Sequence, residues 1–152
     1  MTISVEISIS ENIPPGENDV PEPALLQDWA TAAYLNSVPA IASMLVTDID
    51  EMQQLNKQYR DKDKPTNVLS FPMQSPVEAG VFLLGDIALC APVIKQEARQ
   101  QSKSEMSHWA HMVVHGMLHL QGYDHIKNDE AEEMEQLEIK ILNQLGFSNP
   151  YK

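Results

Sequence analysis

Hydrophobic and polar positions follow two periods along the chain, and each period predicts a different kind of element. Residues 1–10 alternate between apolar and polar side chains, which is the period-two pattern of a half-buried strand. Short β-prone runs predict further strands at 42–46, 67–71 and 81–89, the last interrupted at Gly85 and Asp86. Apolar residues three and four positions apart predict helices at 24–36, from about 47, at 92–101, from the Ser104 cap to Leu120, and at 129–145.

Three details of this pattern are specific enough to be tested by a structure. Pro72 is expected to close the strand that begins at Asn67, with a loop running on through Gly80. From the second helix, Met52, Leu55 and Tyr59 are expected to face the core. In the last helix the glutamates are expected to face water, while the core is contacted by the apolar set Ala131, Met134, Leu137, Ile141 and Leu145.

Helices and strands are interleaved and short, and no internal repeat or low-complexity linker divides the chain. The length of 152 residues and an apolar content of 43% suit one domain with one sizeable core. We therefore predict a single α/β (α+β) domain over residues 1–152, with a small mixed sheet of about four strands and central helices.

Cysteine usage and hydropathy bear on the compartment. Cys90 is the single cysteine, so neither a disulfide framework nor a thiolate metal cage can form. No stretch approaches the length of a membrane span, and residues 1–11 lack a basic segment followed by an apolar run. These features favour a protein of the reducing cytoplasm that does not act at a membrane.

The net charge of −12 opposes non-specific binding to nucleic acid, because such binding depends mainly on neutralising phosphates. The basic residues are unevenly spread, however, with Lys57, Arg60, Lys62 and Lys64 in one short stretch. An asymmetric electrostatic field is therefore expected.

All five histidines lie between positions 108 and 125. On a helix, His115 and His119 would project from one face and could reach one ion. Gly122 can adopt the left-handed conformation that ends the helix, which would turn His125 toward the same ion. Three protein ligands with an open fourth position are typical of catalytic zinc, which activates water for hydrolysis.

Two alternatives to this ligand set need comparison. The His-x3-His-x2-Gly-x2-His spacing also matches metzincin proteases, but Gly116 stands where those enzymes carry their glutamate base. His111 with His115 could form a rival pair, although only His115 and His119 lie beside the turn that supplies His125. For His108 and His111, packing or hydrogen bonding to a ligand is the favoured interpretation.

Three motifs together resemble one family. They are His115-Gly-Met-Leu-His-Leu-Gln-Gly-Tyr-Asp-His125, Arg60-Asp-Lys-Asp-Lys-Pro-Thr-Asn-Val-Leu-Ser-Phe-Pro72 and Leu84-Gly-Asp-Ile87. With these motifs in the right order along the chain, over about residues 43–145, the chain resembles the YbeY family of bacterial metal-dependent endoribonucleases. The resemblance implies a single-strand-specific endoribonuclease that matures ribosomal RNA, especially the 3′ end of the small-subunit RNA, and acts in ribosome quality control.

Carried over by position, the resemblance places the family's zinc ligands on His115, His119 and His125 and its functional arginine on Arg60. A guanidinium can clamp two phosphate oxygens and stabilise charge in the transition state. One departure is Asn67, where many relatives have aspartate, so a proton-transfer role is not expected there.

The leading hypothesis is a zinc-dependent endoribonuclease acting on single-stranded RNA, with no DNA substrate and with the ribosomal small subunit or its assembly proteins as partners. A ribosome-assembly factor with a mainly structural zinc is one alternative, and a zinc hydrolase for another substrate such as a peptide is the other. Nickel, copper or iron would also accept these nitrogen ligands. Several nearby residues are assigned either a supporting or a purely structural role: Lys62, Lys64, Asp86 and Asp124.

Overall fold

A four-stranded mixed sheet forms the centre of the computed structural model, which describes residues 3–13, 20–77, 80–124 and 127–152. The strands are β1 (Ile3–Ile9), β2 (Ala40–Thr47), β3 (Val68–Val77) and β4 (Val81–Cys90). Their order in the sheet is β1-β2-β4-β3, with β1, β2 and β4 parallel and β3 antiparallel to β4. The predicted mixed sheet of about four strands is confirmed.

Five helices occur in the described ranges: α1 (Pro23–Ala33), α2 (Ile49–Arg60), α3 (Ala91–Gln100), α4 (Glu105–Leu120) and α5 (Asn128–Gln144). Asp48 caps α2 by accepting a hydrogen bond from the Glu51 amide, and Ser104 caps α4 through the Ser107 amide. None of the helices described is long and apolar enough to cross a membrane.

Helix α4 is the central helix of the domain. It contacts α1, α3 and α5 as well as β3 and β4, and eleven of its residues are buried. Side chains alternate between the two faces of β4. Ile87 and Leu89 therefore pack in the main core with α4, whereas Ala88 and Cys90 pack on the other face with Met52 of α2.

The prediction that the strand ends at Pro72 is wrong, because β3 continues to Val77. Proline lacks an amide hydrogen but is tolerated on an edge strand, and β3 is the edge of this sheet. The pairing with β4 shifts its register between Pro72 and Ser75, which absorbs the irregularity. The expected interruption at Gly85 and Asp86 is likewise a register shift within a continuous strand, not a break.

Two side-chain predictions were also wrong. Tyr59 is 53% exposed and makes an edge contact with the Phe71 ring instead of entering the core. Glu138 is fully buried, although the glutamates of α5 were expected to face water. Met134 and Ile141 of the same helix pack in the core as expected.

Candidate active site

A cleft of about 440 Å³ lies where the end of α2, the start of β3 and the second half of α4 meet. It is lined by Arg60, by residues 66–70, and by His115 and His119. The structure thus brings Arg60 and two of the three predicted metal ligands to one surface. The third, His125, lies outside the described residues.

The two histidines face each other across one turn of α4. Their Nε2 atoms are 3.1 Å apart and their rings meet at a steep angle, with centroids 4.6 Å apart. Both side chains are partly exposed at the cleft. The four-residue spacing therefore brings two imidazole nitrogens together on one face of the helix, as the sequence predicted.

This nitrogen pair fits a metal ion. Two nitrogen ligands bound to tetrahedral zinc at about 2.0–2.1 Å would lie roughly 3.3 Å apart, close to the observed separation of the two Nε2 atoms. Within residues 3–13, 20–77, 80–124 and 127–152, no group of three His, Cys, Asp or Glu side chains is placed to hold a metal. The expected three-histidine site is therefore not confirmed, and the fit is limited to the His115 and His119 pair.

The other ring nitrogen of His115 is fixed by a buried carboxylate. His115 Nδ1 lies 2.7 Å from Glu138 Oε2. The second oxygen, Oε1, is 3.3 Å from His111 Nε2 and accepts a short hydrogen bond from the Tyr151 hydroxyl. Burial alone would raise the pKa of Glu138, but the hydrogen bonds from His111 and His115 outweigh it and lower the pKa to about 2. Glu138 is therefore a carboxylate that accepts from three side chains.

Arg60 is held at the rim of the cleft by the start of β3. Its Nη2 atom donates to the Ser70 carbonyl at 2.6 Å, and Nη1 donates to the Tyr59 carbonyl at 3.2 Å. The guanidinium carbon lies 5.1 Å from the centre of the Phe71 ring, within the range of a cation–π contact. These contacts fix the direction of a side chain that is otherwise exposed.

A second histidine–carboxylate pair lies behind the cleft. Asn67 donates from Nδ2 to the Glu97 carboxylate at 3.1 Å, and His108 Nε2 lies 2.9 Å from the same carboxylate. Burial lowers the pKa of His108, although its hydrogen bond to Glu97 opposes this effect. Asn67 thus acts as a hydrogen-bond donor at the cleft wall.

Two glycines set the position of α4 and of its end. A Cβ atom at Gly116 would lie 3.2 Å from Ile87 and 3.4 Å from Ser70 Oγ, so the absence of a side chain lets the helix approach the sheet closely. Gly122 has a φ of 98°, and the Tyr123 amide donates back to the Leu118 carbonyl. The predicted left-handed helix end is confirmed.

The remaining candidates do not line this cleft. Asp86 lines a separate apolar cleft of about 420 Å³ beside α2, so a direct contact with the histidine pair is not observed. Lys57 lies 3.9 Å from Asp63 in an exposed ion pair. Cys90 is buried, and burial raises the pKa of its thiol, as suits a packing residue.

Glu138 is the residue of this site that the sequence reasoning missed. A signal for it exists, because Glu138 follows Met134 by four positions and precedes Ile141 by three, on the apolar stripe of α5. A carboxylate on such a stripe must be buried, and a buried carboxylate requires hydrogen-bond donors. The histidines of α4 supply them.

Comparison with known proteins agrees with the fold and the motifs. The solution structure of TM1509 from Thermotoga maritima, a NESGC target protein, superposes with a TM-score of 0.53 at 24% sequence identity, covering 98% of this chain and 99% of that one. This similarity supports the fold. The profile of the family described as Endoribonuclease YbeY matches residues 24–146, which include Arg60, the cleft-lining segment of β3 and the whole of α4. The chain therefore belongs to the YbeY endoribonuclease family.

Proposed function

We propose that this protein is a metal-dependent endoribonuclease that cuts single-stranded RNA in the cytoplasm, during maturation of the 3′ end of the small-subunit ribosomal RNA and in ribosome quality control. The observation that carries the proposal is the shared cleft of Arg60, His115 and His119. Membership of an endoribonuclease family supports the choice of RNA over other substrates.

The histidine pair would hold the metal ion, with His125 as the proposed third ligand. Zinc bound by neutral imidazoles would supply activated water and polarise a phosphoryl oxygen. The chain's own contribution is to place the Nε2 atoms of His115 and His119 3.1 Å apart at the surface of a cleft.

Arg60 would bind the phosphate of the scissile bond. A guanidinium has five N–H donors, and two are engaged with the Ser70 and Tyr59 carbonyls. These bonds and the Phe71 ring hold the planar group in place, so little conformational entropy is lost when phosphate binds. The cation would then stabilise the negative charge that develops at phosphorus.

The cleft does not favour peptide hydrolysis by the metzincin route. Gly116 packs against Ile87 and Ser70, and no carboxylate stands at that position. Among the described residues that line the cleft there is no Asp or Glu to act as that base.

Cleavage assays on purified protein test the proposal. The wild type should cut single-stranded RNA, leave duplex RNA, single-stranded DNA and peptides intact, and lose activity in chelator. His115→Ala should reduce cleavage to the level of a buffer control, whereas Arg99→Ala, which changes an exposed arginine of α3, should not. Equal cleavage by His115→Ala and wild type would refute the proposal.

An assembly factor with a structural metal is the second candidate, and the net charge of −12 favours it because an acidic surface suits docking to basic ribosomal proteins. Cells that carry only an Arg60→Ala variant separate the two roles. Accumulation of unprocessed small-subunit RNA supports the nuclease, provided that the variant retains its metal. Normal processing in those cells supports the assembly factor.

A further inference from the structure

The Glu138 carboxylate is enclosed by side chains that all point toward it. Its residue is 0% exposed, and its two oxygens accept from His115, His111 and Tyr151. Burying an ionised carboxylate costs stability unless donors compensate for the lost water. For packing alone, a leucine would serve better in this place. The glutamate therefore has a specific task beyond packing.

The chemistry of the contact fixes the protonation of the His115 ring. A carboxylate accepts hydrogen bonds and cannot donate them. The hydrogen between His115 Nδ1 and Glu138 Oε2 must therefore be on Nδ1, and in the neutral ring the lone pair is then on Nε2. That atom is the one that faces His119 Nε2 in the cleft.

Tyr151 holds the same carboxylate from the C-terminal end of the chain. It lies beyond residues 24–146, which the family profile matches. The segment is tied to the turn before α4 because Lys103 Nζ donates to the Pro150 carbonyl at 2.6 Å, and the Tyr151 hydroxyl donates to Glu138 Oε1. Oε1 is engaged by Tyr151 and His111, whereas Oε2 contacts His115 Nδ1.

Building on the metal site of the proposed function, we infer that Glu138 is the positioning residue that orients the His115 ring and sets its tautomer for metal binding, and that Tyr151 locks the Glu138 carboxylate from outside the family-matched segment. Carboxylate partners of this kind fix ring orientation and raise ligand basicity in metalloproteins. The metal would bind an imidazole whose Nε2 already faces the cleft and carries no hydrogen.

The first test needs no metal and no RNA. Ring-nitrogen ¹H–¹⁵N correlation spectra of the metal-free protein would be recorded near pH 8, because the ring-nitrogen shifts themselves show which nitrogen carries the hydrogen. The His115 signals would be assigned by their loss in His115→Ala. The wild type and Glu133→Gln, an exposed glutamate on the same helix, should show His115 protonated at Nδ1. Glu138→Ala and the isosteric Glu138→Gln should shift His115 toward protonation at Nε2, and an unchanged tautomer in Glu138→Gln would overturn the inference.

The second test measures metal binding directly, by competition against a zinc indicator. Loss of such a carboxylate partner weakens metal affinity roughly 10- to 100-fold. Glu138→Ala and Glu138→Gln should fall in this range, and Tyr151→Phe should lose less than about 10-fold because His111 still holds the carboxylate. Glu133→Gln should match the wild type.

The two tests fail in different ways. If wild type binds no divalent metal or cuts no RNA, the proposed function is wrong, and the tautomer spectra of the metal-free protein still decide the role of Glu138. If wild type binds zinc and Glu138→Gln binds it equally well, the positioning role is wrong while the proposed function stands. Should Glu138→Ala fail to fold, Glu138→Gln carries both measurements.

Discussion

Glutamates from neighbouring helices face His108 and His115 of α4 from opposite sides of the ring, yet only the His115 pair reaches the cleft. His108 meets Glu97 of α3 through Nε2, whereas His115 meets Glu138 of α5 through Nδ1. The remaining nitrogen of His108, Nδ1, is buried and has no hydrogen-bond partner among the described residues. The remaining nitrogen of His115 faces His119 at the cleft surface.

The difference shows that the side from which the carboxylate approaches decides what the imidazole can do. A carboxylate at Nε2 of His108 directs the lone pair of the neutral ring into the core. A carboxylate at Nδ1 of His115 directs it outward, toward a second imidazole. The same kind of pair, with its histidine on the same helix, thus serves packing in one place and ligand presentation in the other.

Replacing His119 should abolish the difference between the two pairs, because His115 Nε2 would then no longer face a second imidazole in the cleft. We expect His119→Ala to lose stoichiometric zinc during dialysis, since a catalytic zinc site needs three protein ligands. Metal analysis of the dialysed proteins measures this. His108→Gln is the matched control on the same helix and should retain the metal. Full zinc content in His119→Ala would show that the pair is not a ligand pair.

Arg60 distinguishes the cleft pair from the buried pair in a second way, because its guanidinium lines the same open cleft as His115 and His119. Loss of one preorganised charge-stabilising group lowers kcat by about 100-fold or more, and we expect a decrease of this order for Arg60→Ala. Arg60→Lys should recover only part of it, because an ammonium cannot bind phosphate in the bidentate manner of a guanidinium.

Steady-state cleavage of a labelled single-stranded RNA over a range of substrate concentrations measures kcat and KM of the Arg60 variants. Arg99→Ala, the matched arginine variant on α3, should cleave at the wild-type rate. If Arg60→Ala raised only KM and left kcat unchanged, Arg60 would contribute to substrate binding alone.

Glu97 and Glu138 should differ in which property suffers when the carboxylate is removed. Glu97→Ala leaves the His108 and Asn67 donors without their acceptor, and unsatisfied buried polar groups cost about 1–3 kcal/mol each. We expect urea denaturation of the metal-free protein to show a loss of this size, with metal content unchanged. Exposed Glu133→Ala should have almost no effect. Loss of zinc in Glu97→Ala would place both carboxylates in the metal site.

The sequence predicted the parts of the site that are local. His115 and His119 share a helix face, and Gly122 ends that helix, because both features depend on residues within two turns of each other. The sequence did not predict that Glu138 would enter the site. Its position on the apolar stripe was readable, but its partners depend on how α5 packs against α4.

The errors have the same origin in tertiary packing. Pro72 was expected to end a strand, and it is tolerated only because β3 lies at the edge of the sheet. Tyr59 was expected in the core, but it contacts Phe71 at the surface. The reason is that α2 covers only part of the sheet face on which it packs. Periodicity along one segment carries no information on strand order or on the extent of such cover.

The protonation of His108 should have a small effect on the pH dependence of the free energy of unfolding, and this effect shows whether the buried pair is neutral at the histidine. Burial lowers the pKa of His108, against the opposing hydrogen bond and charge of Glu97, and the charges of His111 and Lys103 lower it further. Below about pH 6.5 the unfolded chain therefore binds a proton that the folded chain does not yet bind. The stability that comes from neutral His108 is complete above that pH and is lost as the pH falls toward the lowered pKa.

One proton can change the free energy of unfolding by at most about 1.4 kcal/mol per pH unit, so the contribution of His108 must be smaller than this slope. Urea denaturation of wild type and His108→Gln at pH 7.5 and pH 5.5, in chelator to exclude metal linkage, measures it. We expect His108→Gln to lose less stability than the wild type on acidification, because the glutamine takes up no proton. Equal losses in the two proteins would mean that the pKa of His108 is the same in the folded and unfolded chains, and a smaller loss in the wild type would mean that the Glu97 pair is an ion pair.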